Sequence, residues 1–203
     1  MNEKNEKGMQ TRDRIVSTAR RLFATSGFDG TSTGTILNES GVSRGAMYHH
    51  FADKRALFTA VLEAVEADIA RSTDVASAGA GNPVEALKAG FGEVLRLASE
   101  QEIRQIVLID AHSVVGWQTW REIDERHGFG RLKAGMKLLA SYGQLPVEMV
   151  DLYAHILLAS LFEVAFLIAR ASDPEAATVS GRKAMNSLLD RLLGTGVGFA
   201  GSV

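Results

Sequence analysis

The segment from Gly41 to Phe51 contains polar, basic and aromatic side chains whose chemistry suits nucleic acid. Arg44 can pair with two acceptors of a guanine or hold a phosphate. Tyr48 offers its ring to a thymine methyl group and its hydroxyl to a phosphate, and His49 can donate to phosphates or base edges. The other candidates for DNA contact are Thr33, Ser43, Gly45, His50 and Lys54. Together these residues predict binding to the phosphates and base edges of a DNA groove.

The residues between these polar positions predict the helices that would carry them. Gly41 can adopt the left-handed conformation that ends a helix over residues 33–40. Ser43 is a preferred N-cap for the helix that follows. Within that helix Met47 and Phe51 are four residues apart, so they share a face that can be buried. Two short helices joined in this way form a helix-turn-helix, whose second helix enters the major groove.

The charge distribution favours this interpretation over an ordinary helical turn, which any all-α protein can contain. Residues 1–55 hold 9 Lys or Arg and 6 Asp or Glu, whereas residues 56–203 hold 13 and 18. The N-terminal segment therefore carries a net charge of +3 and the rest of the chain −5. A basic segment on an acidic body is typical of a protein that binds DNA at one end.

Composition limits the other possibilities. The chain has 203 residues, 46% of them hydrophobic, and no cysteine, so it suits one or two small domains without disulfides or thiolate metal sites. Residues 1–10 lack the apolar run of a signal peptide, and we expect a flexible arm there and a cytoplasmic protein. The apolar run from Ile156 to Ala169 is interrupted by Glu163 and is too short to span a bilayer, which favours a buried helix.

Catalytic and metal-binding patterns are poorly represented. Two Asp–His pairs have helical spacing and could share a face, namely Asp151 with His155 and Asp124 with His127. Neither pair has a third ligand at helical spacing, and no phosphate loop or nucleophile motif is present. We therefore expect no enzyme, no metal and no cofactor, and we interpret these pairs as surface or interface contacts.

The rest of the chain predicts helix after helix and almost no strand pattern. The predicted helices cover residues 11–26, 33–40, 44–51, 54–76, 83–99, 101–113, 117–142, 146–170 and 174–194. The seventh has a weak point at residues 127–130. The fold class is therefore all-α, with three helices in an N-terminal head, six in a C-terminal body and a frayed tail over residues 194–203.

Two C-terminal helices carry apolar residues that could meet a second subunit. The helix through Ile156 and Phe166 is apolar nearly all round, and the last helix has a matching stripe from Ala184 to Leu192. Two such helices from each chain would form a four-helix interface. The alternative is a central helix of a monomer, but a single helix-turn-helix reads too few base pairs to be specific. The predicted interface residues are Leu158, Phe162, Ala165, Phe166, Leu188, Leu189 and Leu192.

Residues 11–58 resemble the DNA-binding head of the TetR family of bacterial transcriptional regulators. The resemblance is carried by Ile15, Ala19, Leu22, Phe23, Gly27-Phe28, Thr31-Ser32-Thr33, Ile36, Gly41-Val42-Ser43, Gly45, Tyr48-His49-His50-Phe51, Lys54 and Leu57-Phe58. It implies that the eight candidate residues named above for DNA contact occupy the family's contact positions. The chain departs from the family at Ser40, where a small apolar residue is usual, and at Gly34-Thr35, a weak helix start.

The same resemblance implies a small-molecule pocket in the body, between the long fourth helix and the helices that follow the fifth. Its candidate wall residues are Ile106, Ile109, Asp110, His112, Trp117, Trp120, Phe129 and Phe162. Any one of them could instead be an ordinary core residue, because aromatic side chains commonly fill cores.

The sequence thus predicts a DNA-binding domain over residues 1–52 and a ligand-binding and dimerisation domain over residues 53–203. We expect a homodimeric regulator, a repressor that a small-molecule ligand releases from a palindromic operator. One alternative is the same architecture acting as a ligand-dependent corepressor or an activator. Another is a small-molecule-binding enzyme with an incidental helix-turn-helix.

Overall fold

The computed structural model describes residues 3–194, and within this range the regular structure consists of ten helices and no strands. The all-α prediction is therefore confirmed. The first five helices are α1 (Glu3–Gly30), α2 (Thr33–Ser40), α3 (Arg44–His50), α4 (Lys54–Ser77) and α5 (Pro83–Leu97). Helix α6 has three successive segments, Gln101–Ile103, π-helical Arg104–Asp110 and Ala111–Val115. The last four are α7 (Trp117–Arg126), α8 (Gly128–Ser141), α9 (Val150–Arg170), preceded by the 3₁₀ turn Val147–Met149, and α10 (Pro174–Leu192).

The chain divides into two compact units. The first contains the chain up to Ala67 together with Glu100–Ile123, and the second contains Asp68–Ser99 and the chain from Asp124 onward. Helix α6, which the sequence placed in the body, is thus grouped with the N-terminal helices. The predicted boundary between residues 52 and 53 was drawn between a DNA-binding and a ligand-binding function, and it does not coincide with the two compact units. This functional boundary stays a prediction.

The core of the first unit forms where α1 packs against α2, α3 and α6. Three phenylalanine rings, Phe23, Phe28 and Phe58, lie with centroids 5.2–5.8 Å apart and mostly meet edge to face. Such aromatic packing adds to the stabilisation from burial of the rings themselves. Ile15 and Ala19 of α1 are fully buried beside them.

Helix α1 is longer than the sequence suggested at both ends. It begins at Glu3 rather than at residue 11, so the segment predicted as a flexible arm is helical from that residue. Glu, Lys, Met and Gln dominate this stretch, and all four favour helix. At the other end Gly27 interrupts the helix with φ 69° and ψ 174°, and the chain resumes helical structure to Gly30.

The long C-terminal helices correct two further predictions. The segment expected to form one helix over residues 117–142 forms two. His127 interrupts the helical structure between α7 and α8. Helix α9 with its preceding turn, Val147–Arg170, is long and apolar enough to cross a membrane by length and composition alone. The expectation that its apolar run is too short was therefore wrong. In the second unit α9 packs against α5, α8 and α10, as a core helix does.

Close approach of α9 and α10 depends on one glycine. A Cβ atom at Gly181 would lie 2.7 Å from Cγ1 of Val164, so a side chain there would require Val164 or the helices to move. Met185 and Leu189 of α10 and Leu157 of α9 are buried in the same core. The predicted tail over residues 194–203 lies outside the described residues beyond Gly194.

Candidate nucleic-acid interface

The turn between α2 and α3 has the local geometry that its sequence predicts. Gly41 ends α2 in the left-handed conformation, with φ 63° and ψ 23°. Ser43 is extended, and its hydroxyl accepts a hydrogen bond of 3.2 Å from the backbone N–H of Ala46. At the start of α2 the Ser32 hydroxyl accepts in the same way from Thr35, at 3.0 Å. Both helices are therefore capped by side chains within their own segment, which satisfies backbone groups that would otherwise be free.

Four apolar side chains anchor this segment to the first unit. Ile36, Val42, Met47 and Phe51 are all buried, with Ile36 and Met47 fully so. The predicted burial of Met47 and Phe51 is thus confirmed, although α3 ends at His50 and Phe51 lies just beyond it in an extended conformation. Ser40 is also buried, and its hydroxyl donates to the carbonyl of Leu37 at 3.4 Å, so the departure from an apolar residue is accommodated locally.

The opposite face of α3 is open to solvent. Arg44, Gly45, Tyr48 and His49 are exposed, and on a helix these positions lie on neighbouring rows of one side. A Cβ atom at Gly45 would meet no other atom within 4 Å, so no packing within the protein requires a glycine there. Ser43 is exposed at the head of the helix, while Thr33 and His50 are half-buried. We call the exposed set Ser43, Arg44, Gly45, Tyr48 and His49 the recognition face.

Lys54 has partners inside the protein. Its Nζ donates to the carbonyl oxygens of Phe28, at 2.8 Å, and Thr31, at 3.1 Å. The same ammonium lies 4.0 Å from the centroid of the Phe28 ring, a cation–π contact. Lys54 therefore ties the start of α4 to the end of α1 and to Thr31 just after it. A phosphate contact by this residue stays a prediction, and it would use the remaining donor.

Several contacts that position the segment were not visible in the sequence. The buried Thr31 hydroxyl donates to the carbonyl of Gly27 at 2.8 Å and so supports the break in α1. Arg20 of α1 holds both carboxylate oxygens of Glu102 in α6, at 2.8 and 2.6 Å, and this raises the pKa of the guanidinium. Arg20 and Glu102 are 82 residues apart, so no local pattern indicates the pair.

The predicted pocket residues are distributed over both units. Ile106, Ile109, Asp110, His112, Trp117 and Trp120 belong to the first, and Phe129 and Phe162 to the second. The His112 ring lies 4.2 Å from the Trp120 ring and 5.7 Å from that of Trp117, and the two indoles are 5.2 Å apart. Burial lowers the pKa of His112, which favours the neutral imidazole in this aromatic cluster.

Three of these residues, Ile109, Asp110 and Trp117, differ from simple pocket walls. Trp117 is 66% exposed and Ile109 is 53% exposed, whereas Ile106 is fully buried. Asp110 is bound to the end of α1, as its Oδ2 accepts from the backbone N–H of Phe28 at 2.8 Å. Phe129 is buried and meets the His155 ring edge-on at 4.6 Å.

Three of the predicted interface residues were assigned to the wrong side of their helices. Leu158, Ala165 and Leu189 are 8%, 2% and 0% exposed, so the core of the second unit already covers them. The outward side of α9 instead presents Leu152 and Ile156, with Leu167 further along. The other predicted residues, Phe162, Phe166, Leu188 and Leu192, are half-buried. An apolar helix gives no periodicity from which to tell its inner side from its outer side.

The two Asp–His pairs differ. Asp124 is 3% exposed and is therefore not the surface residue that was expected, and its backbone carbonyl accepts from the backbone N–H of His127 at 3.2 Å. Asp151 and His155 are exposed. The His155 Nδ1 atom lies 2.7 Å from the backbone carbonyl of Asp151, and the Asp151 carboxylate pairs with Lys133 at 3.0 Å. Lys133 lowers the pKa of that carboxyl group. Within the part of the chain that the structure describes, no three His, Asp or Glu residues are grouped to hold a metal ion.

A capped helix-turn-helix with buried anchors and a polar, basic recognition face defines a DNA-binding protein of the helix-turn-helix class. A family model described as bacterial regulatory proteins, tetR family, matches residues 15–61, and one described as tetracyclin repressor-like, C-terminal domain, matches residues 84–192. The chain belongs to the TetR family and is a DNA-binding transcriptional regulator.

Individual relatives agree with this assignment. The transcriptional regulator AcrR of Shigella flexneri is 33% identical over 104 residues, a match that spans about half of each protein (51% of this chain and 48% of AcrR). The TetC protein of transposon Tn10 from Escherichia coli is 26% identical over 160 residues, covering 77% of this chain and 79% of TetC.

Solved structures extend the likeness to nearly the whole chain. A TetR-family regulator from Pectobacterium atrosepticum superposes with a TM-score of 0.78 at 30% identity and covers 95% of this chain and 98% of its own. RolR in complex with resorcinol has a TM-score of 0.71 at 19% identity, covering 97% and 100%, and it supports the fold alone.

Proposed function

We propose that this regulator is a homodimeric repressor, acting in the bacterial cytoplasm, that binds a palindromic operator and leaves it when a small molecule occupies the body. The observation that carries the DNA-binding part is the recognition face. Met47 and Phe51 fix α3 from one side, so the exposed residues on the other side are held in place for a groove. Preorganisation of this kind reduces the ordering cost of binding.

Each residue of the recognition face has a proposed role. Arg44 pairs with a guanine or a phosphate, and the Ser43 hydroxyl with the first N–H groups of α3 favours a phosphate. Tyr48 and His49 reach base edges and backbone oxygens. Gly45 lets the backbone approach DNA closely, because its position is open in the protein. Thr33, His50 and Lys54 complete the set as flanking phosphate contacts.

Dimerisation through α9 and α10 is supported by apolar side chains that the second unit leaves uncovered. Leu152, Ile156 and Leu167 of α9 are 55%, 47% and 62% exposed. Exposed apolar groups at regular helical intervals favour a protein partner over water. A second copy of the chain offers the same face, and an isologous contact between the two is self-complementary. Two recognition helices then reach successive major grooves.

A small-molecule site in the body is supported by the aromatic cluster of His112, Trp117 and Trp120. Indole and imidazole rings offer flat apolar surfaces with a few polar atoms, which is the usual lining of a ligand pocket. RolR, a protein of the same fold, is known with resorcinol bound, so this architecture accommodates a small aromatic compound. Ligand binding would lower DNA affinity by its differential affinity for the two states of the protein.

DNA selection tests the proposal. The pure protein is mixed with fragments of bacterial genomic DNA, and the retained fragments are sequenced and used in gel shifts at fixed salt. We expect a palindromic site, and we expect Arg44→Ala to weaken binding by about 5- to 150-fold, the discrimination carried by about 1–3 kcal/mol of base contact. The matched control is Lys137→Ala, which removes one exposed positive charge from α8 and should leave binding within about twofold. Unchanged binding by Arg44→Ala would contradict the recognition face.

A further inference from the structure

A groove in the second unit lies between the C-terminal end of α5 and residues 174–186 of α10, two helices that pack against each other. Its volume is about 690 Å³, within the usual range of small-molecule sites. Three cationic side chains line it, Arg96 after the middle of α5 and Arg182 and Lys183 on α10. We call it the α5–α10 groove. It shares no residue with the aromatic cluster, which belongs to the first unit.

The charge of this groove is opposite to that of the chain around it. Residues 56–203 hold 13 Lys or Arg and 18 Asp or Glu. Among the described residues that line the groove, Glu175 supplies the one carboxylate against three cations. A second carboxylate, that of Glu93, pairs with Arg96 outside the lining, and three positive charges against two negative still leave a positive balance. Cations gathered in an acidic body favour the binding of an anion at this place.

Both guanidinium groups are held by α5. The carboxylate of Glu93 accepts from Nε of Arg96 at 2.9 Å and from its Nη2 at 2.8 Å, and Arg96 lowers the pKa of this carboxyl group. Nη2 of Arg182 donates to the carbonyl of Gly92 at 3.2 Å. A Cβ atom at Gly92 would lie 2.9 Å from Nε of Arg182, so the glycine makes room for the guanidinium. The remaining N–H donors of Arg182 suit a carboxylate or a phosphate, which accept forked hydrogen bonds.

Asn186 adds a polar group to the lining of the groove. It lies one turn after Arg182 on α10, so the two side chains share a side of the helix. Its Oδ1 atom is buried, and within the described part of the chain no group donates a hydrogen bond to it. A buried acceptor without a donor costs free energy, which a donor on a bound molecule would recover. Because the neighbouring guanidinium groups disfavour a cationic donor, a hydroxyl group fits this position best.

Helix α10 presents the groove and the proposed dimer interface on different sides. Asn186 lines the groove and Leu188 belongs to the proposed interface. The two are two residues apart and therefore about 160° apart around the helix axis. Val179 also lines the groove and is 63% exposed, so it offers an apolar surface to the carbon skeleton of a bound molecule.

We propose that the α5–α10 groove binds a small hydroxylated organic anion. Its carboxylate or phosphate group pairs with Arg182, with Arg96 and Lys183 adding positive charge, and its hydroxyl group donates to Oδ1 of Asn186. This site is additional to the aromatic cluster and to the recognition face. It goes beyond the proposed function and does not depend on DNA binding.

Isothermal titration calorimetry on the full-length protein, at low salt and without DNA, tests the proposal with two matched pairs of anions. L-Malate and succinate differ by one hydroxyl group and represent carboxylates, and 2-hydroxyethyl phosphate and ethyl phosphate do the same for phosphates. We expect one hydroxylated anion to bind about 5- to 10-fold more tightly than its partner, the contribution of one hydrogen bond. The pair that binds identifies the acidic group that the groove accepts.

Two variants separate the contact with the anion from the contact with the hydroxyl group. Arg182→Gln should weaken both members of the binding pair by about 10-fold or more, because it removes charge-assisted hydrogen bonds. Asn186→Leu should leave the anion without a hydroxyl group nearly unaffected and should remove the preference for the hydroxylated one. The matched control Arg191→Gln removes an exposed positive charge from the last turn of α10, outside the groove, and should keep affinities within about twofold.

The proposal is overturned if none of the four anions binds the wild type, or if neither hydroxylated anion binds more tightly than its partner. It is also overturned if Arg191→Gln weakens binding as much as Arg182→Gln, since the attraction would then belong to the general charge of α10. Circular dichroism checks that each variant is folded. If Arg182→Gln is not, Asn186→Leu decides, and an unchanged preference for the hydroxyl group overturns the site. Because no measurement involves DNA, failure here leaves the proposed function standing.

Discussion

Helices α3 and α9 both present a face that their own compact unit does not cover, yet the two faces are chemically opposite. The recognition face of α3 carries hydroxyl, guanidinium and imidazole groups on a helix of seven residues. The outward face of α9 carries Leu152, Ile156 and Leu167 on a helix of 21 residues. Polar groups on a rigid support favour a hydrated, charged partner such as DNA, whereas branched aliphatic groups favour a protein surface that excludes water.

The two helices also differ in what holds them. A helix of seven residues is not stable alone, so α3 depends on the Ser43 cap and on buried Met47 and Phe51. Helix α9 has a buried inner face that includes Leu157 and Ile168, and we expect this face to hold the helix in place without a partner on the outer face. Damage to α3 should therefore change stability and DNA binding together, while damage to the outer face of α9 should change association alone.

The largest effect is expected from the anchor of α3. Met47→Ala should lower the free energy of unfolding by about 2–5 kcal/mol, because it leaves a cavity under the recognition helix. Urea unfolding followed by circular dichroism measures the change. The adjacent Tyr48→Ala, on the exposed side, should alter stability by less than about 0.5 kcal/mol while still weakening DNA binding. Equal stability losses in the two variants would contradict the division of α3 into an anchored and an exposed side.

Next in size is the loss of association through α9. Ile156→Glu places a charge in the proposed interface and should weaken the dimer by about 30- to 1000-fold, corresponding to about 2–4 kcal/mol at a central contact. Sedimentation velocity over a range of protein concentrations measures it. Leu138→Glu is the matched control, since Leu138 is also exposed, at 46%, but belongs to α8. A dimer that survives Ile156→Glu and dissociates with Leu138→Glu would move the interface to another surface.

The dependence of binding on salt concentration should distinguish the recognition face of α3 from the outward face of α9. Between about 50 and about 200 mM salt we expect operator affinity to fall about 100-fold, assuming that the dimer neutralises about four phosphates. Dimerisation through aliphatic side chains should stay constant or strengthen over the same range, because no counterions are released. Fluorescence anisotropy with labelled operator and sedimentation of the free protein supply the two curves. Parallel losses would mean that association is electrostatic as well.

The smallest effect concerns Gly45. Gly45→Ala should stabilise the protein by up to about 1 kcal/mol, since alanine favours helix and the new methyl group meets no atom of the protein. Operator binding should nevertheless weaken about fivefold, the cost of roughly 1 kcal/mol for an extra methyl group at a tight contact. Thermal melts and gel shifts on the same preparation give both numbers. Unweakened binding would show that the backbone at Gly45 does not approach DNA closely.

Local features were the most predictable part of this molecule. Gly41, Ser43, Met47 and Phe51 took the conformations and burial that their types and spacing predict, because caps, left-handed turns and i,i+4 pairs depend on a few neighbouring residues. The start of α1 was less predictable. The polar residues before Thr11 are consistent with either an arm or a helix, and in the structure they are helical from Glu3 onward.

Two features of the C-terminal helices could not be predicted, because the sequence pattern near them does not depend on what they pack against. Along α9 nearly every position is apolar, so the sequence could not tell that Leu158 lies inside and Ile156 outside. That choice depends on where α5, α8 and α10 pack against the helix. The π-helical segment of α6 was likewise missed, since no residue type in Arg104–Asp110 distinguishes π-helical from α-helical pairing.

The amino-acid sequence by itself determined the helix-turn-helix, its recognition face and the all-α class, because each depends on residue types a few positions apart. The tertiary structure alone decided that Asp110 binds the end of α1 rather than only lining a pocket, and that Lys54 holds the carbonyl of Phe28. Asp110 and Phe28 are 82 residues apart, and a hydrogen bond of 2.8 Å between them requires both helices to be packed in place. Short-range chemistry therefore specified the surface that we propose contacts DNA, and long-range packing specified the contacts that hold it in place.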